Sequence, residues 1–400
     1  MTKQPTDNQT DRILRNDVTK GTWFCIIFVL IIFFGFGSVM GIGPMFSTIM
    51  KTAHELLLNV VFYIMGVAVL AGAVSAVFSE FGVTALLNRV ISPIMKPIFG
   101  LPGAAALGLI ATFFSDNPAI VPMSKDQAFA RYFKKYQWAS LVNFGTTFGM
   151  GIVIVGGVLG INSGKYSFSL LIGFICAFIG GIFSTRLLMH FTKKMYGPDA
   201  PVDPEILSND GNNSEIPAGK RVIRTGNPFQ RGLNATFDGG KAGVELGMAL
   251  IPGVIVFCTF VMMLTNGPSI VHGHEVYLGK AYEGVGLLPW IGKKLSFILN
   301  PLFGFNHNEV IGLPLTSLGA VGASLAGATS LAANGLMTGH DMAVYIAMGY
   351  CWCGFFSTTP SITDSMNLRD ITTKAMGTQF LGGIIAGVVA NYLWLLIQLF

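Results

Sequence analysis

Ser115-Asp116-Asn117-Pro118 interrupts the apolar run from Ala104 to Pro122, and its polar side chains can do chemistry that their neighbours cannot. Asp116 is the most conspicuous acid in the apolar part of the chain. A carboxylate at membrane depth is costly unless paired or solvated, so an acid kept there points to a solute or ion path. Asn117 adds donors and an acceptor, and Pro118 can begin a returning half-helix. Ser115, Asp116 and Asn117 together suit an amide- or hydroxyl-rich solute, or a cation. They equally suit helix capping, and both roles can hold at once.

Further polar candidates lie in other apolar stretches. Asn143, Thr146 and Thr147 follow the first interruption, with Asn143 and Thr147 four apart on one helix face. Ser357-Thr358-Thr359-Pro360 would break its helix at membrane depth and leave carbonyls free along a substrate path; a capped helix end is the plainer reading. Thr316 and Ser317 put hydroxyls on a second interrupted stretch, Val310 to Leu331. His307 and Glu309, in Asn306-His307-Asn308-Glu309, form either a protonatable gate or an interfacial loop. His272 and His274 are metal-ligand types in an expected external loop, where an H-x-H pattern is weak evidence. Glu245 is a second acid, early in its span. No G-x-x-x-x-G-K-[ST], H-E-x-x-H or G-x-S-x-G occurs, and nothing flanking Asp116 or Asp364 supports an intramembrane protease. The sequence therefore predicts no enzyme and no cofactor, and leaves Na⁺ or H⁺ as the candidate coupling ion.

The elements that hold these residues must live in lipid. Only 11% of the residues are charged and 52% are hydrophobic, against about 25% charged in a soluble chain. The net charge of +5 has the sign of cytoplasmic loops facing anionic lipid and does not argue for nucleic acid. Five cysteines (25, 176, 258, 351 and 353) read mostly as buried small hydrophobes. Spans are expected near 23–41, 56–78, 137–160, 168–190, 243–265, 341–358 and 376–398.

The chain also repeats itself. Ser92-Pro-Ile94-Met-Lys-Pro97-Ile-Phe99-Gly100 returns as Ser296-Phe-Ile298-Leu-Asn-Pro301-Leu-Phe303-Gly304, at an offset of 296 − 92 = 204. The same offset pairs Gly108 with Gly312 and Gly145 with Gly349. At that offset Asn143 and Thr147 face Ala347 and Cys351, so any polar site is asymmetric. In each copy an amphipathic interfacial segment precedes an apolar stretch broken by proline and glycine. Lipid cannot satisfy such breaks, so both stretches read as re-entrant hairpins facing protein or a wet cavity.

Charge sets the topology. Lys193, Lys194, Lys220, Arg221, Arg224 and Arg231 mark the 193–239 segment as a cytoplasmic linker, poor in apolar periodicity. With the first hairpin re-entrant, the N-terminus and Lys125–Lys135 fall on the same side, and the two copies run in opposite senses. The expected organisation is a polar N-terminus and first transmembrane helix (1–50), a first repeat (51–192), the linker (193–239) and a second repeat (240–400).

The repeated Pro97-Ile-Phe99-Gly100 and Pro301-Leu-Phe303-Gly304 segments, each followed by a glycine-rich interrupted helix, resemble the nucleoside-recognition or gate-domain family of bacterial membrane proteins. Spore maturation proteins A and B, the ferrous-iron transporter membrane domain and the concentrative nucleoside transporter core are similar. Asp116-Asn117-Pro118-Ala119 is similar to the solute-contacting hairpin tip of the last, with Pro and Ala reversed. The resemblance implies an all-α polytopic inner-membrane protein of two inverted-topology repeats plus one N-terminal transmembrane helix. It implies secondary transport of a small polar, nucleoside-like solute, with Ser115, Asp116, Asn117, Asn143, Thr146, Thr147, Thr316, Ser317, Ser357, Thr358 and Thr359 as candidate binding residues. A divalent metal-ion permease and a non-transporting scaffold remain the alternatives, and a homodimer or a membrane partner subunit fits the glycine-rich helix faces.

Overall fold

The computed structural model describes residues 18–114, 117–203, 223–305, 307–319, 321–356 and 358–399; Ser115, Asp116, Ser357 and residues 1–17 and 204–222 lie outside them. Most of the described chain, 78%, is helical. Among the described residues three helices are long and apolar enough to cross a membrane, Lys20–Met40, Ser167–Tyr196 and Arg369–Ile397, so the protein is a multi-pass membrane protein. Helix is the structure such a sequence must take, because it satisfies its own backbone where lipid offers no partner.

Two antiparallel helix pairs form the frame. The first joins residues 42–81 with 228–265. Each member carries a π-helical turn part-way along, Leu56–Val61 in one and Val254–Cys258 in the other, and the two turns touch. Gly72 lies against Gly239 and Met65 against Gly247. At one end the buried carboxylate of Glu80 receives Arg224 Nη1 at 2.9 Å and Arg231 Nε at 2.7 Å. The second pair is Ser167–Tyr196 with Thr372–Ile397, in contact at Gly180 and Gly382, with Phe168 beside Trp394. Glycine at each crossing lets backbones approach to a distance no Cβ would permit.

Residues 204 apart share backbone features. Val83–Phe99 corresponds to 287–303, and Lys135–Thr146 to Gly339–Cys351. Left-handed residues recur as Gly82 and Gly286, Gly100 and Gly304, Met150 and Gly354, Ser163 and Asn367. Each interrupted stretch is a pair of short helices packed on each other. In the first, Gly108 of Ala105–Phe114 meets Ile120 of Ile120–Lys125. In the second, Ser317 Oγ of Gly312–Ser317 donates to Ser324 Oγ of Val321–Ala333 at 2.8 Å.

Three expectations change. The expected spans 137–160 and 341–358 are not whole helices. The first breaks after Thr146 and resumes at Gly151; the second breaks after Cys351 and resumes at Thr358. Met150 and Gly354 turn left-handed there, which ends a right-handed helix. The expected 193–239 linker is helical at both ends, to Tyr196 and from Pro228. Asn227 Oδ1 accepts from the Gln230 N–H at 2.8 Å and Pro228 opens the helix, so glycine and polar content there conceals a capped start. The amphipathic segment 83–99 divides its apolar residues, with Met95 and Phe99 in the core and Leu86, Val90 and Ile94 turned outward.

The second copy alone carries a long connection before its amphipathic segment, holding the antiparallel strands Ser269–Val271 and His274–Val276. His272 and His274 are exposed on this hairpin. Glu283 anchors it: the carboxylate accepts from Ser269 Oγ and from the N–H groups of Leu278 and Gly279, the last at 2.8 Å. Burial opposes its ionisation, but the hydrogen bonds together outweigh burial and hold the carboxyl below its ordinary range.

Gly72→Ala and Gly239→Ala each place a methyl group inside the other helix's backbone. Each is expected to cost about 1–3 kcal/mol of stability, read by thermal unfolding in detergent. Glu283 titrates below its unfolded value, so its stabilisation is present above that value and is lost as pH falls through the folded one. Glu283→Gln should therefore lower the melting temperature at neutral pH and narrow the gap to wild type in acid.

Candidate functional site

The two helix breaks and the two hairpin tips meet in the interior. Asn117 opens a short 3₁₀ turn, Asn117–Ala119, immediately after the first tip, and is fully buried. Its Nδ2 donates to the Cys353 carbonyl at 2.9 Å and to Thr358 Oγ1 at 3.1 Å. Both acceptors belong to the second break. Gly149, in the first break, packs on the other side of the same amide, where a Cβ would overlap Asn117 Oδ1. Gly354 is equally close: a Cβ there would come within 2.6 Å of Asn117 Nδ2. One amide is thus held between two glycines from two broken helices.

The second tip reaches the same segment. The Leu318 carbonyl accepts from the Phe356 N–H at 3.0 Å. Cys258, in the π turn of the 228–265 helix, donates to the Gly319 carbonyl at 3.4 Å, so the frame also touches this tip. Tyr350 Oη donates to the Gly151 carbonyl at 3.1 Å and ties the two breaks together.

The candidate residues separate into groups. Asn117, Thr358 and Thr359 come together at this junction. Ser115, Asp116 and Ser357 lie outside the described residues; in sequence Asp116 adjoins Asn117 and Ser357 adjoins Thr358. Asn143 is buried among helices, with Ser184 Oγ, Thr378 Oγ1 and the Ala375 carbonyl all within 3.1 Å of its Nδ2. Thr146 and Thr147 turn their hydroxyls back to the Asn143 carbonyl, although Thr147 stands at the edge of the first break. Thr316 donates to its own helix at Gly312, while Ser317 bridges the two arms of the second interrupted stretch. His307 is half-buried just before Asn308–Ile311, which contains Glu309, at the far end of the arm from its tip.

Other members of the junction escaped the sequence. Gln379 is buried on the Thr372–Ile397 helix; its Oε1 accepts from Thr359 Oγ1 at 2.7 Å. Its only sequence signal is a lone amide at the start of an apolar span. Gly149 and Gly354 were legible as glycines but not as contacts of Asn117. Beside the first arm lies an apolar cavity of about 160 Å³ lined by Leu109, Ile110, Phe113, Phe148, Phe174 and Phe178. It leaves unfilled volume next to both the arm and the first break.

No protein-family profile and no curated relative matches the chain. Solved structures do match. A doubly substituted CNTnw in an outward-facing state shares 16% identity over 85% of this chain and 76% of that one, with a TM-score of 0.50. Another doubly substituted CNTnw, also outward-facing, gives 14% identity, 93% and 85% coverage and a TM-score of 0.49. CNTnw in an inward-facing substrate-bound state gives 13%, 86% and 80%, and 0.44. These are concentrative nucleoside transporter structures, and at this identity the first of them establishes a shared fold.

Asn117 and Gly149 should be energetically coupled. Gly149→Ala is expected to destabilise the wild type more than it destabilises Asn117→Ala, where the overlapping amide is gone. A double-mutant cycle read by thermal unfolding should give a coupling of about 0.5–3 kcal/mol.

Proposed function

We propose that this protein is a secondary transporter of a small polar solute, nucleoside-like in class, and that it works by alternating access. One observation carries the reading: both hairpin tips bond to the 352–358 break, with Asn117 between that break and the first one. Broken helices in an apolar protein put free carbonyls and amides where a solute or ion can use them. The CNTnw fold and the nucleoside named for its class support the choice of substrate.

The antiparallel frame and the shared 204-residue offset support two inverted-topology repeats with re-entrant hairpins. In this reading the tips, with Ser115, Asp116, Asn117 and Ser357 to Thr359, bind solute, and one repeat rocks against the other. Na⁺ or H⁺ drives the cycle. The cavity beside the first arm gives that arm room to move. Lys193, Lys194, Arg224 and Arg231 support a reading in which the 193–239 segment and the N-terminus are cytoplasmic and the protein sits in the inner membrane.

The test is thermal stability of the purified protein against nucleosides, nucleobases, small organic acids, Na⁺ at two pH values, and Fe²⁺, Mn²⁺ and Zn²⁺. A nucleoside at about 100 times its Kd should stabilise by roughly 2.7 kcal/mol. That shift should vanish in Asp116→Asn and Asn117→Ala, both still folded. A shift with divalent metal alone, or with nothing, sinks the proposal.

A further inference from the structure

The second break is held from behind, and the first is not held in the same way. Gln379 Nε2 donates to the Cys351 carbonyl at 3.1 Å and to the Cys353 carbonyl at 3.3 Å. The Cys353 carbonyl is the one that also receives Asn117 Nδ2. Two amides therefore converge on a single carbonyl oxygen, one from the first hairpin and one from the last helix. Thr359 Oγ1 fixes the orientation of the Gln379 amide by donating to its Oε1. Because Oε1 accepts that proton, Nε2 is the end left to face the carbonyls.

The neighbouring turn makes the same connection once more. Trp352 Nε1 donates to the Phe380 carbonyl at 3.0 Å, and its indole stacks on Phe380 with ring centroids 5.1 Å apart. At the offset of 204, Gln379 corresponds to Ile175 (379 − 204 = 175), whose side chain has no group to donate. Gln379 itself is 1% exposed, so water does not compete for these bonds.

We infer that Gln379 is the positioning residue of this junction: its amide tethers the 352–356 turn to the Thr372–Ile397 helix and presents the Cys353 carbonyl to Asn117. The physical need is plain. A carbonyl freed by a helix break in an apolar interior must keep a donor. If Asn117 leaves with its hairpin tip, Gln379 keeps the Cys353 carbonyl satisfied, so the tip can part from the break without stranding a buried acceptor. The second break then serves as the fixed surface and the first hairpin as the moving one. The tether stands on geometry alone; only its effect on solute rests on the transport reading.

Cys353 lies in the tethered turn and is buried, which makes its thiol a reporter. Purified protein is treated with N-ethylmaleimide, and the rates at Cys353, Cys176 and Cys258 are read by mass spectrometry. Gln379→Leu keeps the volume and removes every hydrogen bond. Gln379→Glu, when ionised, keeps the acceptor for Thr359 and removes the donor. Both should raise the Cys353 rate about tenfold over those of Cys176 and Cys258, the equivalent of one net buried hydrogen bond. Thr359→Val, a milder change that frees the amide to turn, should give a smaller rise in the same direction.

Equal acceleration at all three cysteines, or no change at Cys353, overturns the tether; the latter would mean that Trp352 alone holds the turn. Uptake of radiolabelled uridine into proteoliposomes supplies the second readout, with a raised KM expected for Thr359→Val. Selective labelling without any uridine uptake in wild type upholds the tether and overturns the transport reading instead.

Discussion

Everything at the centre of this molecule follows from one constraint: backbone groups released by a helix break must find partners inside the protein. Lipid supplies none, and an unmet group in an apolar interior costs several kcal/mol. The chain breaks two interior helices at equivalent positions, after Thr146 and after Cys351. At the second break, side chains from distant segments answer the need. Asn117 and Gln379 serve the Cys353 carbonyl, while the Gly354 carbonyl is served locally by Thr358. The Phe356 N–H in turn finds the Leu318 carbonyl of the second hairpin.

Glycine makes that arrangement possible in two distinct ways. In the frame, Gly72 with Gly239 and Gly180 with Gly382 bring helix backbones into contact, which yields dispersion energy where there is no hydrophobic drive between lipid-bathed helices. At the junction, Gly149 and Gly354 make room for an amide. The first use makes a rigid scaffold of two antiparallel pairs. The second makes a polar point contact whose bonds are few enough to exchange.

The two halves differ at equivalent positions. The end of the 83–99 helix is held by Arg186, which donates to the carbonyls of Pro97 and Ile98. The end of the 287–303 helix is held by Asn391, which donates to the Leu302 carbonyl and pairs with the buried His340. Gln379 facing Ile175 is the same kind of departure. Similar backbone features thus carry different polar chemistry in the two halves, and the Asn117 junction is asymmetric.

The sequence by itself determined the solvent and marked the two interrupted stretches, but not the helix breaks after Thr146 and Cys351. Low charge fixed a lipid environment. The 204-residue offset gave the correspondence that the left-handed residues Met150 and Gly354 later obeyed. Proline and clustered glycine marked the interrupted stretches, because those residues act locally on φ, ψ and backbone donors. Asn117 was legible as a polar residue beside Pro118, and Thr358 as part of the hydroxyl run before Pro360. That they touch was not, since 241 residues separate them and no local rule pairs them. Tertiary structure alone decided that Asn143 joins helices and that Gln379 backs the Cys353 carbonyl. Each of those outcomes depends on which buried acceptor happened to need a donor, and only the assembled packing says where the acceptors lie.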